Sequence, residues 1–415
     1  MDRRRRRQVL RSMGVAGVTA LAGCPLSSDE STPGETPADG GTSGTPSGGE
    51  DGDATPIETP TVIEESGTYE LGVDLTSDET PVVIRASDVV LDGGGHAVVA
   101  EDPEPGQNGV HVTGDGVTVR NLAVRGWNAD GAGVAVESAR GCEISGVTAS
   151  DNWHGFRLAG ATDTDVLDCT AADNGEFGVA LEGAGGNTVQ DTTATGNVES
   201  GILLWESTDI TVAGNSLSDN DLRNNLGAIH LDGERRGSHG NEVTDNELTE
   251  NGDTAVILIG SDDNAVADNV MTDNERHGVF LEGSSNNTVA RNTATGNAIS
   301  GVDLAWESDD NTIEANTLEN NAGHGVWLID SHRNAIADNA TVGNEQVGIT
   351  VRGDRRRDQG EHHLRQRRGR RPPRGGRLGT RLHVEPGGGQ RDGRGGRRRD
   401  DGTRGCRVER PRGQW

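Results

Sequence analysis

The feature that most constrains the fold of this chain is an internal repeat. An asparagine recurs nine times between Asn152 and Asn344, and an aliphatic residue lies eight positions before each of them, from Ile144 to Ile336. The intervals between successive aliphatic residues are 22, 23, 23, 31, 23, 23, 24 and 23 residues. Regular intervals of this size are typical of solenoids, in which each unit packs only against its neighbours.

Each repeat has the pattern of short strands joined by tight turns. A glycine often begins an alternating apolar segment, as in Gly278-Val279-Phe280-Leu281. Alternation predicts strands, and the Gly, Asn and Asp residues between them predict turns. A unit this short cannot close its own core, but units stacked about 4.8 Å apart bury their aliphatic residues in columns. Because β-branched residues, glycine and asparagine dominate, we predict an all-β parallel β-helix rather than a leucine-rich repeat.

A further asparagine column precedes the first by five residues. Its members are Asn215, Asn246, Asn269, Asn292, Asn316 and Asn339. Stacked asparagines can hydrogen-bond to one another and to the backbone inside a turn. We therefore interpret both columns as structural rather than catalytic.

Two segments carry a family resemblance. Glu65–Leu71 (ESGTYEL), Ile84–His96 (IRASDVVLDGGGH) and the later coils resemble NosD-type right-handed parallel β-helix proteins, from about residue 62 to residue 353. The resemblance implies a right-handed solenoid with coils of about 22–24 residues. Similar coils occur in copper-accessory proteins, sugar lyases, hydrolases, epimerases and surface proteins, so it specifies the fold far more than the function.

The N-terminus predicts export and anchoring. Residues 1–24 begin with arginines, continue with a short apolar run and end in Leu21-Ala22-Gly23-Cys24. The start resembles a twin-arginine export signal and the end a lipobox, which implies lipidation of Cys24. Residues 25–61 consist almost entirely of Ser, Thr, Pro, Gly, Asp, Glu and Ala, which predicts a disordered acidic tether. We expect a folded domain anchored on the outer face of the cytoplasmic membrane.

The charge balance disfavours two classes of binding partner, nucleic acid and anionic lipids. The formal net charge is −29, and every one of the 38 basic residues is arginine. A strongly acidic domain repels nucleic acid and anionic lipid headgroups. The composition resembles that of proteins from salt-loving archaea.

One strand face is the predicted binding surface. In each Gly-apolar-any-apolar strand, the third residue and the residue two positions later point outward. Rings beside acids suit sugars, which combine apolar CH faces with rims of hydroxyl groups; the alternative is that the rings only cover neighbouring side chains. The candidate ligand-binding residues on this face are Trp205, His230, Asp232, Phe280, Glu282, Asp303 and Trp327.

The single coil of 31 residues supplies the catalytic candidates. Its additional residues flank the strand that carries His230 and Asp232, and insertions in solenoids often form functional loops. They bring Arg235 and Arg236 toward these two side chains, so the four residues are the candidates for catalysis. The alternative is a tolerated insertion without function.

Three kinds of chemistry remain open. Glycoside hydrolysis requires two carboxyls, and although Gly323-His324-Gly325 resembles a polygalacturonase motif, the aspartate pairs are typical of turn caps. A lyase or epimerase requires a base and a group that neutralises a uronate, such as Ca²⁺ or arginine, and His230 with Arg235 or Arg236 fits that role. A tight copper site is disfavoured because Met271 is the only methionine of the repeat region and its histidines are dispersed.

The last segment departs from the repeat. Residues 354–415 are rich in arginine and glycine and contain no asparagine. We predict that this tail is not folded, and its composition suggests a shifted reading frame in GC-rich DNA.

Together these features predict a monomeric, exported, lipid-anchored β-helix that binds carbohydrate or a cell-surface component without catalysis. The first alternative is a polysaccharide lyase or epimerase acting on acidic glycans. The second is a scaffold for the maturation of a copper enzyme, nitrous oxide reductase.

Overall fold

The computed structural model describes residues 54–220, 226–232 and 237–352, and the backbone of residues 363–365 and 383–385. In this part of the chain every regular element is a β-strand, and no helix has the length and apolarity to cross a membrane. The strands form a right-handed parallel β-helix, as predicted. The predicted export signal with Cys24, residues 25–53 of the predicted tether, Arg235, Arg236 and nearly all of the predicted tail lie outside the described residues.

Three sheets run along the solenoid, and each coil after the first contributes one strand to each of them. The first sheet contains β1 (Thr55–Ile57), β3 (Gly67–Leu71), β6 (Val89–Asp92), β9 (Thr118–Arg120), β12 (Glu143–Ser145), β15 (Asp165–Leu167), β18 (Thr188–Gln190), β21 (Thr211–Ala213), β24 (Glu242–Thr244), β27 (Ala265–Ala267), β30 (Thr288–Ala290), β33 (Thr312–Glu314) and β36 (Ala335–Ala337), with β40 (His383–Glu385) and β39 (His363–Arg365) antiparallel at its edge.

The second sheet carries the predicted binding face. It contains β2 (Thr61–Ile63), β5 (Val82–Ile84), β8 (Val110–Val112), β11 (Ala132–Glu137), β14 (His154–Ala159), β17 (Val179–Glu182), β20 (Ile202–Trp205), β23 (Gly227–Asp232), β26 (Thr254–Ile259), β29 (Val279–Glu282), β32 (Val302–Ala305), β35 (Val326–Ile329) and β38 (Ile349–Arg352).

The third sheet closes the coil. It contains β4 (Leu75–Thr76), β7 (Ala97–Val99), β10 (Ala123–Arg125), β13 (Thr148–Ser150), β16 (Thr170–Ala172), β19 (Thr193–Thr195), β22 (Ser216–Ser218), β25 (Glu247–Thr249), β28 (Val270–Thr272), β31 (Thr293–Thr295), β34 (Thr317–Glu319) and β37 (Ala340–Val342).

The aliphatic column of the repeat forms part of the core, as predicted. Its nine members, from Ile144 to Ile336, all lie in the first sheet and are fully buried. They pair in register across parallel strands, for example Val243 with Val266 and Val266 with Val289. The long coil keeps this register, because Val212 pairs with Val243 across its 31 residues.

The predicted asparagine columns are hydrogen-bonded ladders inside the turns. Asn274 Nδ2 donates to the Leu248 carbonyl and to Asn297 Oδ1, both at 3.0 Å. Its Oδ1 accepts from the backbone N–H of Asn251 at 3.1 Å and from Asn251 Nδ2 at 3.0 Å. Each asparagine thus links its own coil to both neighbours, which confirms the structural interpretation.

A third ladder and a serine column were not predicted. The third ladder contains Asn187, Asn241, Asn264, Asn287, Asn311 and Asn334. In the serine column, Ser284 Oγ donates to the Leu258 and Glu282 carbonyls and accepts from the Ser261 N–H. These columns satisfy polar backbone groups at corners where strand pairing is interrupted.

The ordered solenoid starts earlier than the predicted boundary at residue 62. Strand β1 (Thr55–Ile57) already pairs in parallel with β3, and the Ile57 side chain is buried. The N-terminal edge of the domain therefore lies near Thr55, because this segment places an apolar side chain on the core.

Candidate functional site

Two rows of side chains on the second sheet point away from the interior, in the predicted register. The first outward ladder contains Arg157, Ala180, Leu203, His230, Ile257, Phe280, Asp303, Trp327 and Thr350. The second outward ladder contains Ala159, Glu182, Trp205, Asp232, Ile259, Glu282 and Ala305. Ile329 and Arg352 form a further pair of the same type. We refer to the surface formed by these ladders as the outer face.

Exposure along the outer face differs from the prediction. Trp205 exposes 38% of its surface and Trp327 is partly exposed, but Phe280 exposes only 8%. Phe280 is buried because it packs with Ile257 and Ala305 in an apolar cluster separate from the core. The expectation of an exposed ring therefore fails at Phe280.

The long coil places His230 and Asp232 on one strand, both buried. Among the described residues, neither ring nitrogen of His230 has a hydrogen-bond partner, and burial lowers the pKa of His230 to about 4. His230 is therefore neutral near pH 7. Arg235 and Arg236, the other two catalytic candidates, lie outside the described residues, so their approach to this strand stays a prediction.

A buried pair that the sequence did not predict lies at the C-terminal part of the outer face. His277 Nδ1 lies 3.6 Å from Asp303 Oδ2, and the two side chains expose only 4% and 6% of their surface. Burial lowers the pKa of His277 to about 3 and raises the pKa of Asp303 to about 7. Arg276 adds to the first shift and opposes the second. Because the imidazole is neutral near pH 7, the contact is not an ion pair, and at 3.6 Å the two atoms are too far apart for a hydrogen bond.

Part of this pair has no hydrogen-bond partner. Within the part of the chain that the structure describes, His277 Nδ1 and Asp303 Oδ1 are both buried and have no hydrogen-bond partner. The His277 ring stacks on Phe280, with 5.3 Å between ring centroids and 17° between ring planes. Buried polar atoms without partners are costly, and their presence in a folded protein calls for an explanation such as a ligand or a water molecule.

Trp306 is a second residue that the sequence did not predict. It exposes 58% of its surface and contacts the edge of Phe280, with ring centroids 6.3 Å apart and planes at 83°. It directly follows Ala305 in the coil whose aliphatic interval is 24 residues, from Val289 to Ile313. The interval of 24 residues is a sequence feature that indicates an exposed residue in this coil, since one additional residue in a solenoid coil must bulge at the surface.

Two further histidines, His154 and His324, also contact aromatic rings. His154 stacks on Phe177 at 5.6 Å, and the His324 and Trp327 rings are 5.2 Å apart. Burial lowers the pKa of His154 to about 4 and also lowers the pKa of His324. Both rings are therefore neutral near pH 7, like His230 and His277.

Two arginines on or beside the outer face, Arg157 and Arg276, are engaged with carboxylates. Arg157 Nη2 donates to Glu182 Oε2 at 2.6 Å, and hydrogen bonding to Glu182 raises the pKa of Arg157. Arg276 Nη1 lies 3.4 Å from Asp253 Oδ2. Both basic groups thus already have acidic partners.

The aspartate pairs of the predicted turns act as caps. Asp262 Oδ1 accepts from the backbone N–H of Ser285, and Asp309 Oδ1 accepts from that of His332, both at 2.6 Å. His324, in the motif that resembles polygalacturonases, lies near the Val347 carbonyl at 3.2 Å. These contacts favour the structural interpretation of the motif.

Soft metal ligands lie inside the solenoid. Met271, Cys142 and Cys169 are buried in the core, and burial raises the pKa of the Cys169 thiol to about 11. Among residues 54–220, 226–232 and 237–352, no three His, Cys, Asp or Glu side chains converge in a way that could hold a metal ion.

Comparison with family models divides the repeat region in two. Residues 217–356 match the family described as "Periplasmic copper-binding protein (NosD)". Residues 82–217 match the family described as "Right handed beta helix region". No curated protein matches the sequence at a significant level.

Solved structures with the same fold include an alginate epimerase, a mannuronan epimerase and a tailspike protein. The A-module of Azotobacter vinelandii mannuronan C-5 epimerase AlgE6 superposes with a TM-score of 0.56 at 18% identity, covering 70% of this chain and 87% of the module. The periplasmic alginate epimerase AlgG has a TM-score of 0.51 at 17% identity, with coverage of 68% and 76%. The Dettilon tailspike protein gp208 has a TM-score of 0.55 at 18% identity, and the match covers 67% of this chain but only 62% of the tailspike. At these identities the likeness establishes the fold alone.

Proposed function

We propose that this chain, which matches the NosD and right-handed β-helix family models over residues 82–356, is an exported surface protein that binds carbohydrate along its outer face. Binding without catalysis is the simplest use of that face. The lipobox-like Leu21-Ala22-Gly23-Cys24 would anchor it, and residues 25–53 would separate it from the membrane.

The observation that carries this proposal is the row of aromatic and carboxylate side chains in register on adjacent coils. Glu182, Trp205 and Asp232 follow one another along the second outward ladder. Asp303 and Trp327 do so along the first. Coils about 4.8 Å apart repeat at nearly the length of one sugar unit in an extended glycan, so successive coils can contact successive sugars. Rings bind the CH faces, and carboxylates accept from hydroxyl groups.

The comparisons support the proposal in two ways. The matched family is described as periplasmic, which agrees with an export signal at the N-terminus. Two of the structural neighbours are named as epimerases of alginate or mannuronan, which are polysaccharides.

The test is a glycan array probed at high salt with the wild type and with a Trp205→Ala/Trp327→Ala double variant. We expect the wild type to bind a restricted set of glycans and the double variant to lose about tenfold or more in affinity, since each ring contributes on the order of 1 kcal/mol. A matched control is Val62→Ala/Val270→Ala, which removes two exposed apolar side chains. Absence of any bound glycan, or equal binding by the double variant, would contradict the proposal.

The description of the matched family favours a second candidate, a scaffold in the maturation of a copper enzyme. In that case the protein would dock on the enzyme rather than on a glycan. Neighbouring genes for nitrous oxide reductase would favour this candidate, and their absence together with glycan binding would exclude it.

A further inference from the structure

We propose that His277, Phe280, Asp303 and Trp306 form a discrete subsite for an uncharged sugar residue. We call this set the Trp306 corner. The inference rests on the proposed function and deepens it, because it names one position on the outer face and the chemical class that it accepts.

The first observation is the backbone conformation of Trp306. Its φ is 49°, in the left-handed region, and the next residue, Glu307, has a φ of 64°. The equivalent turn is left-handed in other coils as well, at Gly260, Gly283, Glu206 and Asp330. The turn geometry is therefore common to the fold, and what distinguishes Trp306 is a bulky aromatic side chain at a position that glycine or an acidic residue fills in those coils.

The exposure of Trp306 excludes a purely packing role. A ring that served only to cover Phe280 would be largely buried, whereas Trp306 exposes 58% of its surface. The edge contact with Phe280 holds one side of the ring and leaves much of the remainder to solvent. An exposed, positioned indole is the usual platform for the apolar face of a sugar ring.

The second observation is the unpartnered polar pair whose histidine stacks on Phe280, the ring that Trp306 contacts. Asp303 Oδ1 and His277 Nδ1 have no hydrogen-bond partner within the described chain, and both residues expose less than a tenth of their surface. Both atoms are closed to solvent in the unliganded protein, so a sugar reaches them only when neighbouring side chains move on binding. Its hydroxyl groups, which donate and accept, can then satisfy both atoms. An unmet pair of this kind selects strongly for a ligand that offers those groups.

The charge around the corner excludes an acidic sugar. Glu282 lies on the preceding strand, diagonal to Asp303. Arg276, which acts on both Asp303 and His277, already lies against the Asp253 carboxylate at 3.4 Å. With the imidazoles neutral, a uronate would meet carboxylates and find no cation available to neutralise it.

Ionisation of Asp303 gives the subsite a measurable pH dependence. The titratable groups near its carboxyl are His277 at 3.6 Å, Arg276, and Glu282, which is diagonal to it on the preceding strand. Its partner on the following strand, Trp327, does not titrate. Below pH 7 the Asp303–His277 pair is uncharged and can exchange hydrogen bonds with hydroxyl groups. Above pH 7 the carboxylate can only accept and attracts water, so affinity for an uncharged sugar should fall.

The experiment measures the binding of two sets of oligosaccharides by the full chain. One set is uncharged (β-1,4-linked mannan, glucan and galactan), and the other is acidic (mannuronan and polygalacturonate). Salt is kept at the lowest concentration at which the protein stays folded, since salt screens charge repulsion. The variants are Trp306→Ala, Asp303→Asn and, as a matched control for exposed apolar surface, Val270→Ala.

We expect the wild type to bind an uncharged oligosaccharide and to lose affinity between pH 7 and pH 9. Trp306→Ala should weaken binding about tenfold. Asp303→Asn resembles the protonated carboxyl, so it should bind normally at pH 6 and abolish the loss at high pH. Val270→Ala should behave as the wild type.

The outcomes separate the inference from the function on which it rests. Binding of acidic oligosaccharides only would overturn the inference and leave carbohydrate binding intact. Binding of uncharged sugars that is unaffected by Trp306→Ala, or whose pH dependence survives Asp303→Asn, would also overturn it. Binding of no oligosaccharide at all would overturn both.

Discussion

The asparagine ladders and the outer face differ in the hydrogen bonding of their buried polar groups. In the ladders, Asn274 is fully buried and makes four hydrogen bonds to adjacent coils. On the outer face, His230, His277 and Asp303 are nearly as buried but leave ring nitrogens or a carboxylate oxygen without a partner. The same solenoid thus contains polar groups that stabilise it and polar groups that destabilise it.

This difference indicates which residues serve the fold and which serve a ligand. A buried polar group that is fully hydrogen-bonded can be retained for stability alone. A buried polar group without a partner lowers stability, so its retention is better explained by binding. The comparison can be tested by measuring stability, independently of any glycan.

The largest expected effect is in the ladder. Asn274→Ala removes four hydrogen bonds and leaves the Leu248 carbonyl and the Asn251 N–H unpaired inside the turn. We expect the free energy of unfolding to fall by about 4 kcal/mol, measured by denaturant titration. Asn128→Ala, at an exposed asparagine, is the control. A loss no greater than that of the control would show that the ladders are dispensable.

The next largest expected effect is on the free energy of unfolding at acidic pH. Burial holds the pKa of His230 at about 4, below its ordinary value of 6.5, so below pH 6.5 the unfolded chain takes up the proton first. The stability associated with neutral His230 is complete above pH 6.5 and is lost as the pH falls toward 4, by up to about 3 kcal/mol. His230→Leu should reduce this slope in unfolding free energy, whereas Ile257→Leu on the next strand should not. An unchanged slope in His230→Leu would show that water reaches the ring.

Asp303 should show the opposite dependence. Its pKa is raised to about 7 from 3.8, so the folded state is progressively destabilised as the pH rises from about 4 to 7. At pH 8 we expect Asp303→Leu to increase the free energy of unfolding by about 2 kcal/mol, because it removes a buried charge. The equivalent ladder variant, Asn274→Leu, should decrease it. Destabilisation by Asp303→Leu at pH 8 would remove the contrast between the two regions.

The smallest expected effect on the free energy of unfolding comes from the backbone conformation of Trp306. Trp306→Gly should raise the free energy of unfolding by about 1 kcal/mol, because glycine adopts a positive φ without steric cost. Trp205→Gly, which places glycine within strand β20, should lower it. If both variants lose stability equally, the Trp306 ring contributes more to packing than its exposure indicates.

The sequence was sufficient for the fold because the repeat has a strict period. Ile144, Val266 and Ile336 identify one wall of the core, and the Asn152 and Asn215 columns identify the turns. From these fixed points the register of both outward ladders followed, since side chains alternate across a strand. The third asparagine ladder escaped notice because its early positions hold Thr164 and Ile210 instead of asparagine.

The candidate site was less predictable because burial outside the core depends on three-dimensional neighbours. The alternation of the strand places Phe280 and Asp303 on the outer face, but it does not show that Ile257 and Ala305 pack around the phenylalanine. His277 occupies the position before the strand glycine, which also holds His154 and His324 but unrelated residues in other coils, so only its contact with Asp303 singles it out. Trp306 lies where its coil departs from the repeat, so the repeat pattern does not identify it.

The recovery of register after each insertion has a consequence for how such a protein can change. Thr288 pairs with Thr312 and Val289 with Ile313, although their coil contains the additional residue that exposes Trp306. A single inserted codon therefore alters one coil and leaves the geometry of the next coil intact. Mutation and selection can thus change this surface one coil at a time, and each coil can acquire an insertion independently of the others.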